Sequence, residues 1–95
     1  MTNNNRGWIA NTTKEERLAE LIDMMNRIAA GYAEDAERAA HLAEGYDVDR
    51  EDENLDERER RACAYEAGQQ WQLASDLRRR SEELSHFAEM LTTCQ

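Results

Sequence analysis

At 95 residues with a net charge of −9, the chain holds one domain at most. Charged residues make up 35%, proline is absent and glycine occurs only four times, which argues against a sheet and for long solvated helices. The acidity opposes direct contact with nucleic acid or an anionic membrane, and two cysteines are too few for a disulfide framework.

The N-terminal stretch Met1–Gly7 is polar and lacks the apolar segment of a signal peptide. No run approaches the ~20 apolar residues of a membrane span. A cytoplasmic protein with reduced thiols is therefore expected. Residues 1–11 read as a flexible arm, in which Trp8-Ile9 forms a lid packed back on the helices.

A first helix is predicted over about 13–45. Thr12 and Thr13 each precede a glutamate by three residues, the spacing at which a side-chain oxygen and a carboxylate satisfy the free N–H groups of a helix start. Leu18, Leu21, Met25, Ile28, Tyr32, Ala36, Ala39, Ala43 and Tyr46 then recur in steps of three and four, so they share one face. Asp23–Arg27 and Glu34–Arg38 are favourable pairs on the outer face. Gly45 suits a left-handed C-cap, leaving an acidic turn over 46–53.

The second helix is predicted over about 54–92. Asn54 is its expected N-cap, with Glu57 at the capping-box position and an acidic first turn that suits the helix dipole. Its stripe runs Cys63, Ala67, Trp71, Ala74, Leu77, Ser81, Leu84, Ala88 and Leu91, with Leu73 and Phe87 widening it. Asp76–Arg80 and Glu57–Arg61 are the expected outer pairs.

Two long helices joined by a short connection make an all-α, antiparallel hairpin. A turn centred near residue 50 pairs residue n with roughly 99 − n, which sets Gly31 opposite Gly68. A mid-helix glycine costs ~1 kcal/mol relative to alanine, so two in one layer predict a close crossing, with Tyr32 and Trp71 packed over it. Facing residues are small near the turn and large toward the open end. The apolar stripe at the open end is too broad for one partner helix. A homodimer is therefore expected, a coiled-coil-like four-helix bundle built through Leu18, Leu21, Ile22, Met25, Trp71, Leu77, Leu84 and Phe87, with the acidic turns projecting.

Sites for chemistry are scarce. Asp47, Asp49, Glu51 and Asp52 have some of the spacing of a calcium loop, but Asp52 and Arg58 stand where an EF-hand needs glycine and a bidentate glutamate. Glu37/His41/Glu44 and Glu82/His86/Glu89 share a spacing used in metal-binding bundles. The hairpin separates the two sets, and no histidine faces either, so surface pairing is the simpler reading. Arg58-Glu59-Arg60-Arg61 and Arg78-Arg79-Arg80 are interleaved or flanked with acids, so Arg78-Arg79-Arg80 is expected to meet Glu16 and Glu20 across the hairpin or Glu82 and Glu83 along its helix. No nucleophile–base pair or phosphate loop is present. Neither catalysis, a metal nor a cofactor is expected.

The placement of charge is more informative. Residues 34–59 carry twelve acids against three bases, a balance equal to that of the whole chain, while the rest divides nine against nine. Asp47, Asp49, Glu51, Asp52, Glu53, Asp56 and Glu57 thus form a negative tip suited to a partner protein with a basic surface. A short acidic helical chain with its charge gathered at one end resembles in kind the small inhibitors that phages and mobile elements encode. Those include nucleic-acid mimics and anti-CRISPR proteins, and the resemblance implies an inhibitor or regulator that occupies a nucleic-acid-binding groove. The other expectation is an adaptor hairpin that works through its apolar open end.

Overall fold

A computed structural model describes residues 13–93. The expected arm with Trp8-Ile9, and Cys94, lie outside the described residues. Two helices, α1 (Lys14–Asp49) and α2 (Glu57–Thr93), pack as an antiparallel hairpin.

Of the two starts the sequence offers for α1, Thr12 and Thr13, the cap is Thr13. Thr13 Oγ1 accepts from the Glu16 N–H at 3.1 Å, and Glu16 Oε1 accepts from the Thr13 N–H at 3.1 Å. Those contacts, the Thr13 amide first and its hydroxyl second, hold the Glu16 carboxyl below its ordinary pKa. Arg27 pairs with Asp23, and Arg61 with Glu57 at 2.8 Å, as expected. Arg38 reaches Glu34 at 3.8 Å but sits closer to Asp35, at 2.7 Å. Asp76 is paired with Arg79 at 3.1 Å rather than with Arg80.

The other ends of the helices differ from expectation. Gly45 does not stop α1, which continues four residues further to Asp49. No glycine among the described residues has a positive φ, so no left-handed cap forms. Asn54 is not the cap of α2 either. Asp56 takes that place: its Oδ1 accepts from the Glu59 N–H at 2.8 Å, and Glu59 Oε1 lies 3.5 Å from the Asp56 N–H. The sequence carries this capping spacing twice, at Asn54/Glu57 and Asp56/Glu59, and the chain uses the later one.

Shifting the turn to 50–56 changes the register. Ser81 Oγ donates to the Ala29 carbonyl at 2.7 Å, so residues whose numbers add to about 110, rather than 99, share a layer. Seven-residue steps from that bond, taken in opposite directions, bring Ala36 level with Ala74 and Ala43 level with Ala67. These alanines, with Ala29 and Ala88, are 0–2% exposed. The helices therefore meet along a seam of small side chains, close enough for a serine hydroxyl to reach a carbonyl of the other helix. Gly31 and Gly68 do not face each other, and both helices run unbroken through them. A Cβ added at either would meet nothing within 4 Å.

The seam is a thin core. Every buried residue among those described is an alanine, and no large side chain is fully buried. One alanine methyl contributes only about 0.8 kcal/mol of burial.

Candidate functional site

The acidic tip is an ordered turn. After α1 the Arg50 N–H bonds to the Tyr46 carbonyl at 2.9 Å, Glu51 N–H to Val48 at 3.1 Å, Asp52 N–H to Asp49 at 3.0 Å and Leu55 N–H to Asp52 at 3.2 Å. Asp52 Oδ1 accepts from the Asn54 N–H at 2.9 Å. The backbone amides of Arg50, Glu51, Asp52, Asn54 and Leu55 are thus bonded within the turn, and the Leu55 side chain is half-buried.

The seven tip carboxylates divide by role. Asp56 caps α2, and the Glu59 backbone N–H holds its carboxyl below the usual range, with a smaller contribution from the charge of Arg60. Asp47 Oδ2 accepts from Trp71 Nε1 at 2.7 Å, and its Oδ1 lies 3.5 Å from Arg50. Asp52 braces the turn, and Glu57 pairs with Arg61. Asp49, Glu51 and Glu53 are exposed, and their side chains enter no hydrogen bond or ion pair among the described residues. The first group shapes the tip, and the second presents its charge.

Two more residues complete this end. Arg60 is half-buried, and its Nε is buried with no hydrogen-bond partner, so its stem lies in the seam. Cys63 is also half-buried; desolvation, and then the charges of Asp49 and Glu59, push its thiol pKa up. It is held as the protonated thiol, which is a poor nucleophile.

Trp71 is not part of the apolar open end. Four residues beyond the seam alanine Ala67, it bonds to Asp47, which lies four beyond Ala43. Both occupy one flank of the seam, in the acidic half. Positions of the same kind along this flank are Ala33, Ala40, Ala64, Arg78 and Ser85, which are small or polar. Trp71 packs over neither Gly31 nor Gly68.

The opposite flank holds the other large side chains. Tyr32 of α1 with Arg80, Glu83, Leu84 and Phe87 of α2 lines an open groove of about 300 Å³. Leu18, Ile22, Met25, Leu77 and Leu84 are half-buried, whereas Leu21 (48%), Ile28 (49%) and Phe87 (57%) are largely exposed.

The remaining polar clusters are surface features. His41 Nδ1 lies 3.9 Å from Glu44, and both side chains are mostly exposed. Arg79 reaches Glu83 at 3.9 Å along its own helix. Among the described residues no three His, Cys, Asp or Glu converge as metal ligands, and no helix is long and apolar enough to cross a membrane. No protein-family model, curated protein or solved structure matches this chain.

Proposed function

We propose that the protein is a small non-catalytic inhibitor or regulator that docks its acidic tip on a basic, nucleic-acid-binding surface of a partner protein. The observation that carries this reading is the division of labour within the turn. Asp47, Asp52 and Asp56 are spent on internal hydrogen bonds, which leaves Asp49, Glu51 and Glu53 exposed on a braced scaffold. Carboxylates fixed in this way lose less side-chain and loop freedom on binding than a disordered acidic tail would. They stand in for phosphates, and the field of the tip speeds encounter with a cationic groove. A nucleic-acid mimic of the phage or mobile-element kind works by this chemistry.

The test is capture from a lysate by the immobilised chain at low and high salt, beside the triple variant Asp49→Lys/Glu51→Lys/Glu53→Lys. The expected partner is a nucleic-acid-handling protein that is retained at low salt, lost from the variant and displaced by a DNA or RNA duplex. Equal capture by the variant, with its helicity intact, would refute the reading.

A further inference from the structure

We infer that a second copy of this chain covers the apolar flank of the open half, with the two acidic tips pointing away from each other. The flank is continuous. Leu21 and Ile28 lie one residue before a seam position on α1, Phe87 lies one before on α2, and Tyr32 and Leu84 lie three after. Met24 and Met90, 52% and 48% exposed, border it. The groove lined jointly by Tyr32, Leu84 and Phe87 shows that the two helices turn these positions to the same side. Nothing among the described residues covers that side.

Exposure favours a partner on this side. Leu21, Met24, Ile28, Phe87 and Met90 each keep 48–57% of their surface in solvent, and a contiguous apolar patch of that kind marks an interface. The missing core is also of the kind a helical pair supplies, because the seam buries only alanines while the leucines beside it stay half wet.

Charge selects a copy of the same chain and fixes its direction. Residues 1–33 and 74–95, the open half in this register, carry seven bases and eight acids, so two open halves meet with little net repulsion. Arg80 and Glu83 both border the groove, so a two-fold axis that sets each Arg80 against the other copy's Glu83 makes two ion pairs at its rim. Tips laid side by side would instead oppose two charges of −9. Pointed apart on helices of 36 and 37 residues, each about 55 Å long at the helical rise, they are separated by far more than the ~8 Å screening length at physiological salt.

The experiment is sedimentation equilibrium of the full chain across a concentration series. The expected mass is twice the 11.0 kDa of one chain. Ile28→Glu and Phe87→Glu should each weaken self-association at least ~10-fold, and together leave monomer, because each buries an unpaired charge in the interface. If the double variant unfolds, proximity decides instead. With Cys63→Ser and Cys94→Ser in place, a short bifunctional thiol reagent should join copies carrying Met90→Cys and fail with Glu53→Cys. A monomer at every concentration, a dimer that survives both glutamates, or cross-linking only at the tip would overturn the inference. So would a wild-type monomer that associates only after Trp8→Ala and Ile9→Ala, since the chain's own N-terminal segment would then be the occupant.

Discussion

Replacing Gly31 and Gly68 with alanine is the sharpest test of the register. Two arrangements of the same helices predict opposite signs. If the glycines met in one layer, each new methyl would wedge the helices apart, an overpacking that typically costs 1–3 kcal/mol. In the observed register a Cβ at either site meets nothing within 4 Å, so only backbone preference remains. Alanine is favoured over glycine inside a helix by ~1 kcal/mol, partly because the unfolded chain loses freedom. Gly68 lies level with residue 42 of α1, eleven residues from Gly31, which is roughly 16 Å at the helical rise. At that separation the two effects should add. For a domain of this size ~1 kcal/mol moves the melting temperature by ~4–8 °C, so the double variant should gain ~8–16 °C. Circular dichroism melts at matched protein concentration read this directly, the matching being needed because self-association would itself shift the midpoint. A lower midpoint for either single variant would refute the seam register.

Two further outcomes follow from the seam and the caps. Ala74→Leu should lose ~1–3 kcal/mol in urea unfolding, because Ala74 is 2% exposed and the helices would have to part; the exposed control Ala33→Leu should stay close to wild type, and equal loss in both would deny the seam its role. The caps predict an acid dependence. Asp56 and Glu16 have folded pKa values below their unfolded ones, so the stability they add is fully present above about pH 4.5 and is lost as pH falls through the folded values. Asp56→Asn keeps an accepting oxygen without the titration, so its urea midpoint should fall less than wild type on acidification, and superimposable acid limbs would remove Asp56 from that account.

The sequence shows the two helices, their approximate lengths, a threonine cap at 12 or 13 and the pairs Asp23–Arg27 and Glu57–Arg61, because all of these depend on residues within four positions of one another. The connection was harder to read. Gly45 is a good helix stop in isolation, yet tertiary contact outweighs the small cost of a glycine inside α1, and the helix continues to Asp49. The choice between Asn54 and Asp56 as cap rests on two equal spacings, and no local rule separates them. A difference of a few residues at the turn propagates into every cross-helix pairing: a turn centred near residue 50 sets Gly31 against Gly68, and the turn at 50–56 does not. A better signal lies in the seven-residue series Ala67, Ala74, Ser81, Ala88 against Ala29, Ala36, Ala43, whose members share a layer at sums spaced by seven, 110 among them and 99 not. For the tip, composition marks all seven carboxylates alike. Only geometry separates those that brace the turn from those that face outward. Trp71 has no local signal for its place either: its size fits an apolar cluster, and its bond to Asp47 spans 24 residues.

The alanine seam also sets an order in which the molecule assembles. Ala43 and Ala67 are 24 residues apart in the chain, whereas Ile22 and Ala88, the layer at the open end, are 66 apart. Closing the longer loop first would cost about 0.9 kcal/mol more in chain entropy. Pairing therefore starts at the turn and advances layer by layer, each alanine pair guided by the one already formed. The loop closed by that first pair, residues 43–67, holds four bases against ten of the chain's acids. Repulsion among them opposes the first contact, so added salt, which would weaken the tip's hold on a cationic groove, should quicken the closing of the hairpin itself.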